Sequence, residues 1–330
     1  MLVLLGIILT ACSPVDKSHS AQIFALDTVI DISAYGSECE QAVADAKAEI
    51  HRLEKLLSVT DESSDISAIN TAGNQGATAD EETCALIKSA LKYSEQTDGA
   101  FDITIYNTLK LWGFTTGEYR VPEESEIKST LTTTGSTNVG TENNNLVTLK
   151  NSAQIDLGGI AKGYIADKAA QAMEKYDISY GIISLGGNVR TVGAKPEGED
   201  FTVGIRHPEN NSYFAILNVS DVSVITSGGY QRNFTEGGKT YHHIIDPETG
   251  YPSNSDAVSV TIVGKDGAMC DAFSTAVFIG GSEYAKELFD KSGEFEYAVL
   301  TTDNRLIVSE GLKGAVELTP DAKDITIEYR

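Results

Sequence analysis

One stretch decides the fold of this chain: Ile155-Asp-Leu-Gly-Gly-Ile-Ala-Lys-Gly163. We expect a strand to end over residues 153–156 and a helix to run from Gly158 to about Lys175. Glycines let the backbone approach a ligand, and the first turn of a helix offers unpaired N–H groups and a positive dipole end to phosphate. Lys162 adds a mobile cation. The spacing matches neither a Walker A loop nor G-x-G-x-x-G, so a tight turn with a solvated lysine explains it about as well as a binding site.

Strands and helices are mixed along the rest of the chain. Alternating apolar residues predict strands, and apolar residues at helical spacing predict helices, most clearly at 39–57. Polar segments at 58–70 and 118–145 indicate a loop and a surface excursion. Further strands are expected at 22–34, 180–185, 201–206, 213–219, 222–226 and 258–263, further helices at 83–96, 268–279 and 283–291, and a hairpin at 297–308. This order favours an α+β fold over a doubly wound sheet.

The charge balance argues against one class of function. The 330 residues include 48 Asp and Glu against 25 Lys and Arg, which gives a formal net charge of −23. Such an acidic surface repels phosphate backbones, so the sequence predicts no nucleic-acid binding. A compact nucleotide ligand remains compatible, because a metal ion can neutralise phosphates locally.

The N-terminus is typical of an export signal. Met1 to Leu9 form an apolar run that is too short to span a bilayer, which needs about 20 apolar residues. Leu9-Thr10-Ala11-Cys12 resembles the bacterial lipobox, whose cysteine becomes the lipidated first residue. We therefore expect a leader and tether over 1–20, a folded domain over 21–330, and a lipid anchor outside the cytoplasmic membrane. No Lys or Arg precedes the run, and a buried strand with an incidental cysteine is the alternative.

The remaining cysteines, Cys39, Cys84 and Cys270, form no C-x-x-C pair. Neither a zinc knuckle nor a disulfide framework is therefore indicated. One disulfide, such as Cys39 to Cys84, is compatible with the spacing, and three small buried residues are the simpler expectation.

A second motif is Met269-Cys-Asp271-Ala-Phe-Ser-Thr275-Ala. At positions i and i+4 of a helix, Asp271 and Thr275 share one face. Their oxygens could both face a hard cation such as magnesium, which keeps phosphate or water oxygens in its shell. The alternative is a capping Asp with a Thr that bonds back to its own helix.

A third motif joins Thr226-Ser-Gly-Gly-Tyr-Gln-Arg232 to Tyr241-His-His243-Ile-Ile-Asp-Pro-Glu-Thr-Gly250. The glycine-rich turn can present N–H groups to an anion. His243 has an ordinary pKa near 6.5 and is the best candidate for a general acid or base, although a core histidine is the default interpretation.

A fourth motif is Thr97-Asp-Gly-Ala-Phe-Asp102, which leads to Leu111-Trp-Gly-Phe114. Its glycine and alanine keep the backbone open, and Phe101 could pack on a flat ring. Trp112 and Phe114 are more typical of a core. The glycines in Ser184-Leu-Gly-Gly-Asn188 indicate either another close backbone approach or a strand end.

The order of these motifs resembles the ApbE family of FAD:protein FMN transferases over residues 22 to 310. Asp27-Thr-Val-Ile and Ser64-Asp-Ile-Ser-Ala-Ile-Asn70 also belong to the series. The resemblance implies a T-fold-related α+β fold with mixed sheets, packed helices and a flavin-binding cleft. It also implies a magnesium-dependent reaction that splits FAD at its pyrophosphate, joins FMN by phosphoester to a Thr or Ser of a target protein, and releases AMP.

Roles follow from this resemblance position by position. Asp271, Thr275 and the carbonyl of Gly159 match metal ligands, and Ser274 stands where some relatives have a further acidic ligand. His243 matches the proposed catalytic histidine, with Asp271 beside the reacting phosphates. The flavin-nucleotide contacts match Leu26, Thr60, Ala100, Phe101, Asp102, Asp156, Lys162, His243 and Ile244. Leu26 and Thr60 depart from the Met and Tyr that many members have there.

The resemblance implies flavoprotein acceptors, such as subunits of Rnf-type complexes or sodium-pumping NADH:quinone reductases, or extracellular flavoproteins. Two other functions fit the same residues. An FAD pyrophosphatase would use water as the acceptor, and a non-catalytic FAD-binding lipoprotein would store or deliver flavin.

Overall fold

A broad sheet with helices on one face forms the frame of the molecule. The computed structural model describes residues 17–142, 144–210 and 212–330. The strands in this part are β1 Ser18–Ala25, β2 Thr28–Tyr35, β3 Ala77–Thr78, β4 Val139–Thr141, β5 Leu146–Leu149, β6 Tyr180–Leu185, β7 Asn188–Gly193, β8 Phe201–Arg206, β9 Tyr213–Val219, β10 Ser223–Gly228, β11 Asn233–Glu236, β12 Lys239–His242, β13 Ala257–Gly264, β14 Glu296–Thr301, β15 Arg305–Val308, β16 Val316–Leu318 and β17 Thr326–Tyr329. The helices are α1 Cys39–Leu57, α2 Asp65–Ala72, α3 Glu81–Gln96, α4 Tyr106–Leu111, α5 Glu124–Leu131, α6 Ala161–Met173, α7 Gly267–Gly280 and α8 Ser282–Ser292.

The main sheet has the strand order β1-β2-β6-β7-β10-β13-β14-β15-β17. Its neighbours pair antiparallel except β15 and β17, which are parallel. Smaller sheets join β16-β9-β8, β3-β5-β4 and β11-β12. This combination of an antiparallel sheet with segregated helices confirms the α+β prediction.

The largest core lies between the main sheet and helices α1, α6 and α7. Helix α1 buries Ala42, Ala46, Ile50, Leu53 and Leu57, the apolar side of its helical repeat. Helix α7 is buried along nearly all of its length and packs against β10, β13 and α6. A second core, which includes Phe214 and Leu217, joins β8, β9 and β16 to strands of the main sheet.

Two glycines bring helices α6 and α7 into backbone contact. A Cβ on Gly163 would lie 1.9 Å from the carbonyl oxygen of Gly267, and a Cβ on Gly267 would lie 2.6 Å from the carbonyl oxygen of Gly163. Only glycine fits at such an approach. The contact sets the side chains of the second turn of α7 beside the beginning of α6.

A smaller aromatic core supports the loops on one side of the cleft. Trp112 is fully buried and its Nε1 donates to the carbonyl oxygen of Gly250 at 2.9 Å. Its ring lies near Phe234 and Tyr241 of the β11–β12 hairpin. The prediction that Trp112 belongs to a core is confirmed.

Several predicted elements match the structure closely. Helix α1 has the expected bounds, and β8 and β9 begin and end where the alternation indicated. The hairpin of β14 and β15 turns at Asp303-Asn304 as expected, with Asn304 in the left-handed region.

Other elements differ from the prediction. The single strand expected at 22–34 is wrong: β1 and β2 form a hairpin that turns at Leu26 and Asp27. The loop expected at 58–70 contains most of α2, the excursion at 118–145 contains α5 and β4, and residues 153–156 are not a strand. Strand β7 was not expected. Helix α6 begins at Ala161, because residues 158–160 form a turn instead of the first helical residues.

The three described cysteines are buried and free, so the disulfide alternative is wrong. No helix among the described residues is long and apolar enough to cross a membrane. Cys12 and the leader lie outside the described residues, so the lipidation prediction stays a prediction.

Candidate functional site

A cavity of about 590 Å³ opens where α6, α7, β10 and several loops meet. Its volume lies within the range of pockets that hold small molecules and cofactors. The predicted site residues that line it are Leu26, Thr60, Ala100, Phe101, Asp102, Asp156, Gly159, Lys162, His243, Ile244, Asp271 and Thr275. Ser274 is absent from this lining. The structure therefore gathers into one cavity residues that are spread over most of the sequence.

The turn before α6 forms one wall. Oδ1 of Asp156 accepts the N–H of Gly158 at 2.9 Å, and Nζ of Lys162 lies 3.5 Å from the Gly158 carbonyl oxygen. Burial raises the pKa of Asp156, against the opposing effects of the Gly158 N–H and the charges of Lys162 and Arg232. No side chain caps the start of α6 at Ile160. The wall thus combines a helix N-terminus with a nearby cation, the features expected of a phosphate site.

Asp271 faces the same wall from α7. Its side chain is 4% exposed, and Oδ2 accepts the N–H of Gly163 at 3.0 Å while Oδ1 lies 3.4 Å from Nδ2 of Asn188. Among the described residues no Lys or Arg forms an ion pair with it. A buried carboxylate with only neutral donors lacks a countercharge, which a bound cation would supply.

Other oxygens lie next to this carboxylate. Thr275 follows one helical turn later and its Oγ1 is 3.4 Å from the Asp271 carbonyl oxygen. A Cβ on Gly159 would lie 3.8 Å from that Oγ1. Among the backbone hydrogen bonds of the described residues, none joins the Gly163 N–H to the Gly159 carbonyl, because Gly163 donates to Asp271 instead. The Gly159 carbonyl is therefore left without its usual helical partner.

Ser274 is oriented away from this group. Its Oγ donates to the Asp271 carbonyl oxygen at 2.8 Å and lies 2.8 Å from Oγ of Ser227. The expected alternative for Asp271 as a capping residue is wrong, since Asp266 caps α7 by accepting the N–H of Met269. Thr275 does bond back to its own helix, as that alternative assumed.

His243 stands at the end of the β11–β12 hairpin, with its ring held by Arg232. Nδ1 lies 3.1 Å from the Arg232 carbonyl oxygen, and the backbone N–H of His243 donates to the same oxygen at 3.1 Å. Since a carbonyl only accepts, Nδ1 carries the proton and Nε2 carries the lone pair. Burial, aided by the charges of Arg232 and Lys162, lowers the pKa of His243 to about 3. The ring is thus neutral near pH 7, and its Nε2 carries no proton.

The segment 100–102 forms an apolar wall with a carboxyl at its end. Phe101 is 3% exposed, and its Cε2 would lie 3.2 Å from a Cβ on Gly159, so the ring packs directly on the glycine turn. Oδ1 of Asp102 accepts the N–H of Thr104 at 2.8 Å and its hydroxyl at 2.6 Å. Burial raises the pKa of Asp102 despite these bonds.

Two departures from the family pattern also line the cavity. Leu26 has φ of 54° at the tip of the β1–β2 hairpin, and its N–H donates to Oε1 of Glu54 at 2.6 Å. The Thr60 hydroxyl lies 3.1 Å from Oγ of Ser58. Both residues line the cavity, as expected for positions that the resemblance matches to flavin contacts.

The polar residues of the cavity that sequence reasoning did not assign include Asn188, Arg206 and Arg232. Asn188 follows the Gly186-Gly187 pair, whose close approach was one of the two interpretations. Strand β6 ends at Leu185, directly before Gly186, so the strand-end interpretation is confirmed. A Cβ on Gly186 would also lie 2.4 Å from Oγ1 of Thr28. Arg232 ended a motif that was quoted for its glycines, and Arg206 gave no local signal.

Comparison with known proteins places the chain among flavin transferases. The model of the ApbE family matches residues 26–299. The chain is 29% identical over 325 residues to the FAD:protein FMN transferase of Treponema pallidum, covering 92% of this chain and 90% of that protein. It is 32% identical over 264 residues to the FAD:protein FMN transferase of Klebsiella pneumoniae, covering 78% and 81%.

Solved structures agree with this comparison. The crystal structure of the ApbE protein from Thermotoga maritima has a TM-score of 0.82 at 34% identity, over 93% of this chain and 98% of that one. The flavin transferase ApbE of Vibrio cholerae has a TM-score of 0.81 at 22% identity, over 91% and 99%, and supports the fold.

Proposed function

Because the chain belongs to the ApbE family, we propose that it transfers the FMN half of FAD to a protein acceptor. The observation that carries this proposal is the group of oxygens at the cavity wall formed by Asp271, Thr275 and Gly159. This group of oxygens lies beside Lys162 and the N-terminus of α6, which together favour a phosphate. The cavity thus offers a cation site and an anion site side by side, as a dinucleotide diphosphate requires.

The donors fit magnesium. Carboxylate, hydroxyl and carbonyl oxygens are the ligands that this ion prefers, and it usually retains phosphate or water oxygens as well. Among the described residues no group of three or more His, Cys, Asp and Glu could hold a metal ion by itself. We therefore propose that Asp271, Thr275 and the Gly159 carbonyl hold magnesium together with phosphates of FAD. Bound there, the ion neutralises charge on the diphosphate.

The chain's own residues account for the remaining requirements of the transfer. Lys162 and the N-terminus of α6 stabilise negative charge on the phosphates. Nε2 of His243 accepts the proton of an acceptor Thr or Ser hydroxyl, because its lone pair is free. The acceptor oxygen forms a bond to the FMN phosphorus, the P–O bond of the diphosphate bridge breaks, and AMP leaves with the electron pair of that bond.

An Asp271→Asn variant tests the cation site. The amide can still accept from Gly163, so the fold should persist, whereas the anionic ligand is lost. We expect magnesium-dependent transfer to fall by about 100-fold or more, because a neutral amide replaces the charged ligand of the proposed set. Glu317→Gln, an exposed residue of β16 outside the cavity, is the matched loss of one negative charge. Transfer at the wild-type rate in the Asp271 variant would refute the metal assignment.

The acceptor distinguishes this function from an FAD pyrophosphatase. Protein, FAD and magnesium should be incubated with a flavoprotein subunit of the Rnf or sodium-pumping NADH:quinone reductase type, or with an extracellular flavoprotein. Covalent flavin fluorescence on the denatured acceptor supports transfer. Free FMN and AMP without labelled acceptor would favour the hydrolase, and tight binding without turnover would favour a storage protein.

We also propose that Cys12 anchors the protein to the outer side of the cytoplasmic membrane. The support is the lipobox-like segment at 9–12, which precedes the first strand by only a few residues. A Cys12→Ser chain should move from the membrane fraction to the soluble fraction. Unchanged membrane association of this variant would contradict the anchor.

A further inference from the structure

Two arginines of this acidic chain form no ion pair within 4.0 Å among the residues that the structure describes. The chain has seven arginines, and all of them lie in the described part. Five form ion pairs within 4.0 Å of an Asp or Glu: Arg52, Arg120, Arg190, Arg305 and Arg330. Arg206 and Arg232 form none among the described residues, and both line the cavity. With 48 carboxylates in the chain, two guanidinium groups left unpaired at one cavity indicate an anionic ligand.

Arg232 has most of its donors free. Its Nη1 donates to the carbonyl oxygen of Phe114 at 3.3 Å, the one hydrogen bond of its guanidinium group among the described residues. A guanidinium group has five N–H donors in a planar fork that matches phosphate. The remaining donors are available to an anion in the cavity.

The same residue holds His243. The Arg232 carbonyl accepts both the backbone N–H and Nδ1–H of His243, each at 3.1 Å. Arg232 directly precedes the β11–β12 hairpin and His243 directly follows it. A ligand bound by the guanidinium group would therefore fix the residue that orients the histidine ring. In the described part of the chain Arg206 has no comparable bond to a site residue, so the two arginines are not equivalent.

We propose that Arg232 binds a phosphate of the dinucleotide through its guanidinium group and positions His243 through its carbonyl. The identity of the ligand as FAD rests on the proposed function. Anion binding and orientation of the base then depend on one residue. The hairpin, which contacts the aromatic core through Phe234 and Tyr241, holds both ends of this arrangement in place.

The charges that face His243 are those of Arg232, Lys162 and the neighbouring His242, and each disfavours a proton on its ring. Removal of the Arg232 charge should therefore raise the pKa of His243. A purely structural role of Arg232 in the hairpin would not predict this change in a protein that remains folded.

The test compares Arg232→Gln with Arg232→Lys and with Lys239→Gln. Lys239 lies on the same hairpin but outside the cavity. Its variant therefore loses the same charge at a position that does not line the cavity. Binding of FAD and of riboflavin, which has no phosphate, is measured by flavin fluorescence with a metal chelator present. We expect Arg232→Gln to weaken FAD binding by about tenfold or more, since charged hydrogen bonds are lost. The binding of riboflavin by Arg232→Gln should be unchanged, and so should the binding of both flavins by Lys239→Gln. Arg232→Lys should bind FAD with an intermediate affinity.

A second measurement follows the His243 ring by NMR without flavin or metal. Its assignment comes from a His243→Gln spectrum, and its pKa should be higher in Arg232→Gln than in wild type. The proposal is overturned if Arg232→Gln binds FAD as wild type does, or if it loses FAD and riboflavin equally. A wild-type chain that binds FAD through Arg232 but labels no acceptor would leave this inference standing and refute the transferase. A wild-type chain that does not bind FAD would refute both.

Discussion

A Gly163→Ala substitution tests the helix contact on which the position of Asp271 depends. The new Cβ would lie 1.9 Å from the carbonyl oxygen and 2.5 Å from the carbonyl carbon of Gly267. Real Cβ atoms almost never approach another heavy atom within 3.0 Å, so α6 and α7 must separate by about 1 Å at this point. Both contacts are backbone atoms, which cannot rotate away as a side chain could. The strain must therefore be taken up by the helices themselves.

The sign of the change in the free energy of unfolding shows whether Gly163 contacts Gly267. In an exposed helix, replacement of Gly by Ala stabilises by about 1 kcal/mol. Overpacking a core instead costs about 1–3 kcal/mol, and a clash with backbone belongs at the upper end. We expect the free energy of unfolding to fall by about 3 kcal/mol. The bond from Gly163 N–H to Asp271, which is 3.0 Å long, should lengthen as well and reduce metal-dependent transfer.

Urea unfolding followed by circular dichroism measures this change. Gly293→Ala serves as the control, because Gly293 has φ of 64° and nothing within 4 Å of its added Cβ. It reports the cost of a left-handed alanine alone, about 1 kcal/mol. A Gly163→Ala protein that is as stable as wild type, or more stable, would show that the helices do not touch at this point.

Two further predictions concern stability. Burial raises the pKa of Asp167 to about 6 from an ordinary 3.8, so between these pH values the native state keeps a proton that the unfolded state releases. The free energy of unfolding should therefore fall by about 2 kcal/mol as the pH rises from 4 to 6. Asp167→Asn should reduce that slope in urea unfolding at a series of pH values, and an unaltered slope would contradict the raised pKa. Asp27 is exposed at φ of 56°, and Asp27→Gly should raise the free energy of unfolding by about 0.5–1 kcal/mol. A loss of stability in that variant would count against strain in the hairpin turn.

Sequence periodicity predicted the elements whose one face is consistently apolar. Helix α1 was placed at its observed bounds because Ala42, Ala46, Ile50 and Leu53 repeat at helical spacing against a charged face. Strand β8 alternates buried and exposed residues from Phe201 to Arg206 without interruption. Such a pattern shows at each residue which side of the element faces the core. The element can therefore be predicted without knowing which other element packs against it.

The elements that the sequence did not predict correctly have local physical causes. The β1–β2 turn consists of Leu26 and Asp27, both with positive φ. Hairpin turns of this kind usually contain Gly or Asn, which makes them recognisable in a sequence. Strand β7 begins directly after Gly186-Gly187, which separates it too little from β6 to show as a second run. In both places the chain reverses with almost no loop, and a pattern read along the sequence continues through the turn.

The site shows the same limit more strongly. Motif residues such as Asp271 and His243 could be named from the sequence, but their partners could not. Gly163 donates to Asp271 across 108 residues of chain, and the bond exists because two glycines let the helices touch. Arg232 could be assigned only once its guanidinium group was seen to lack a carboxylate. An unpaired charge is a property of the folded surroundings, and no local sequence pattern records it.

The distribution of charge accounts for the proposed binding of a dianionic ligand by a chain of net charge −23. Most of its arginines are engaged by carboxylates outside the cavity, where such pairs contribute little to stability. Inside the cavity Lys162, Arg206 and Arg232 lack such partners among the described residues, and low-dielectric walls strengthen their field. A long polyanion would be repelled by the acidic exterior along its whole length, whereas a single diphosphate would contact only the cavity. The selectivity that we expect, for a compact nucleotide over nucleic acid, would therefore depend on the positions of the unpaired cations and not on their number.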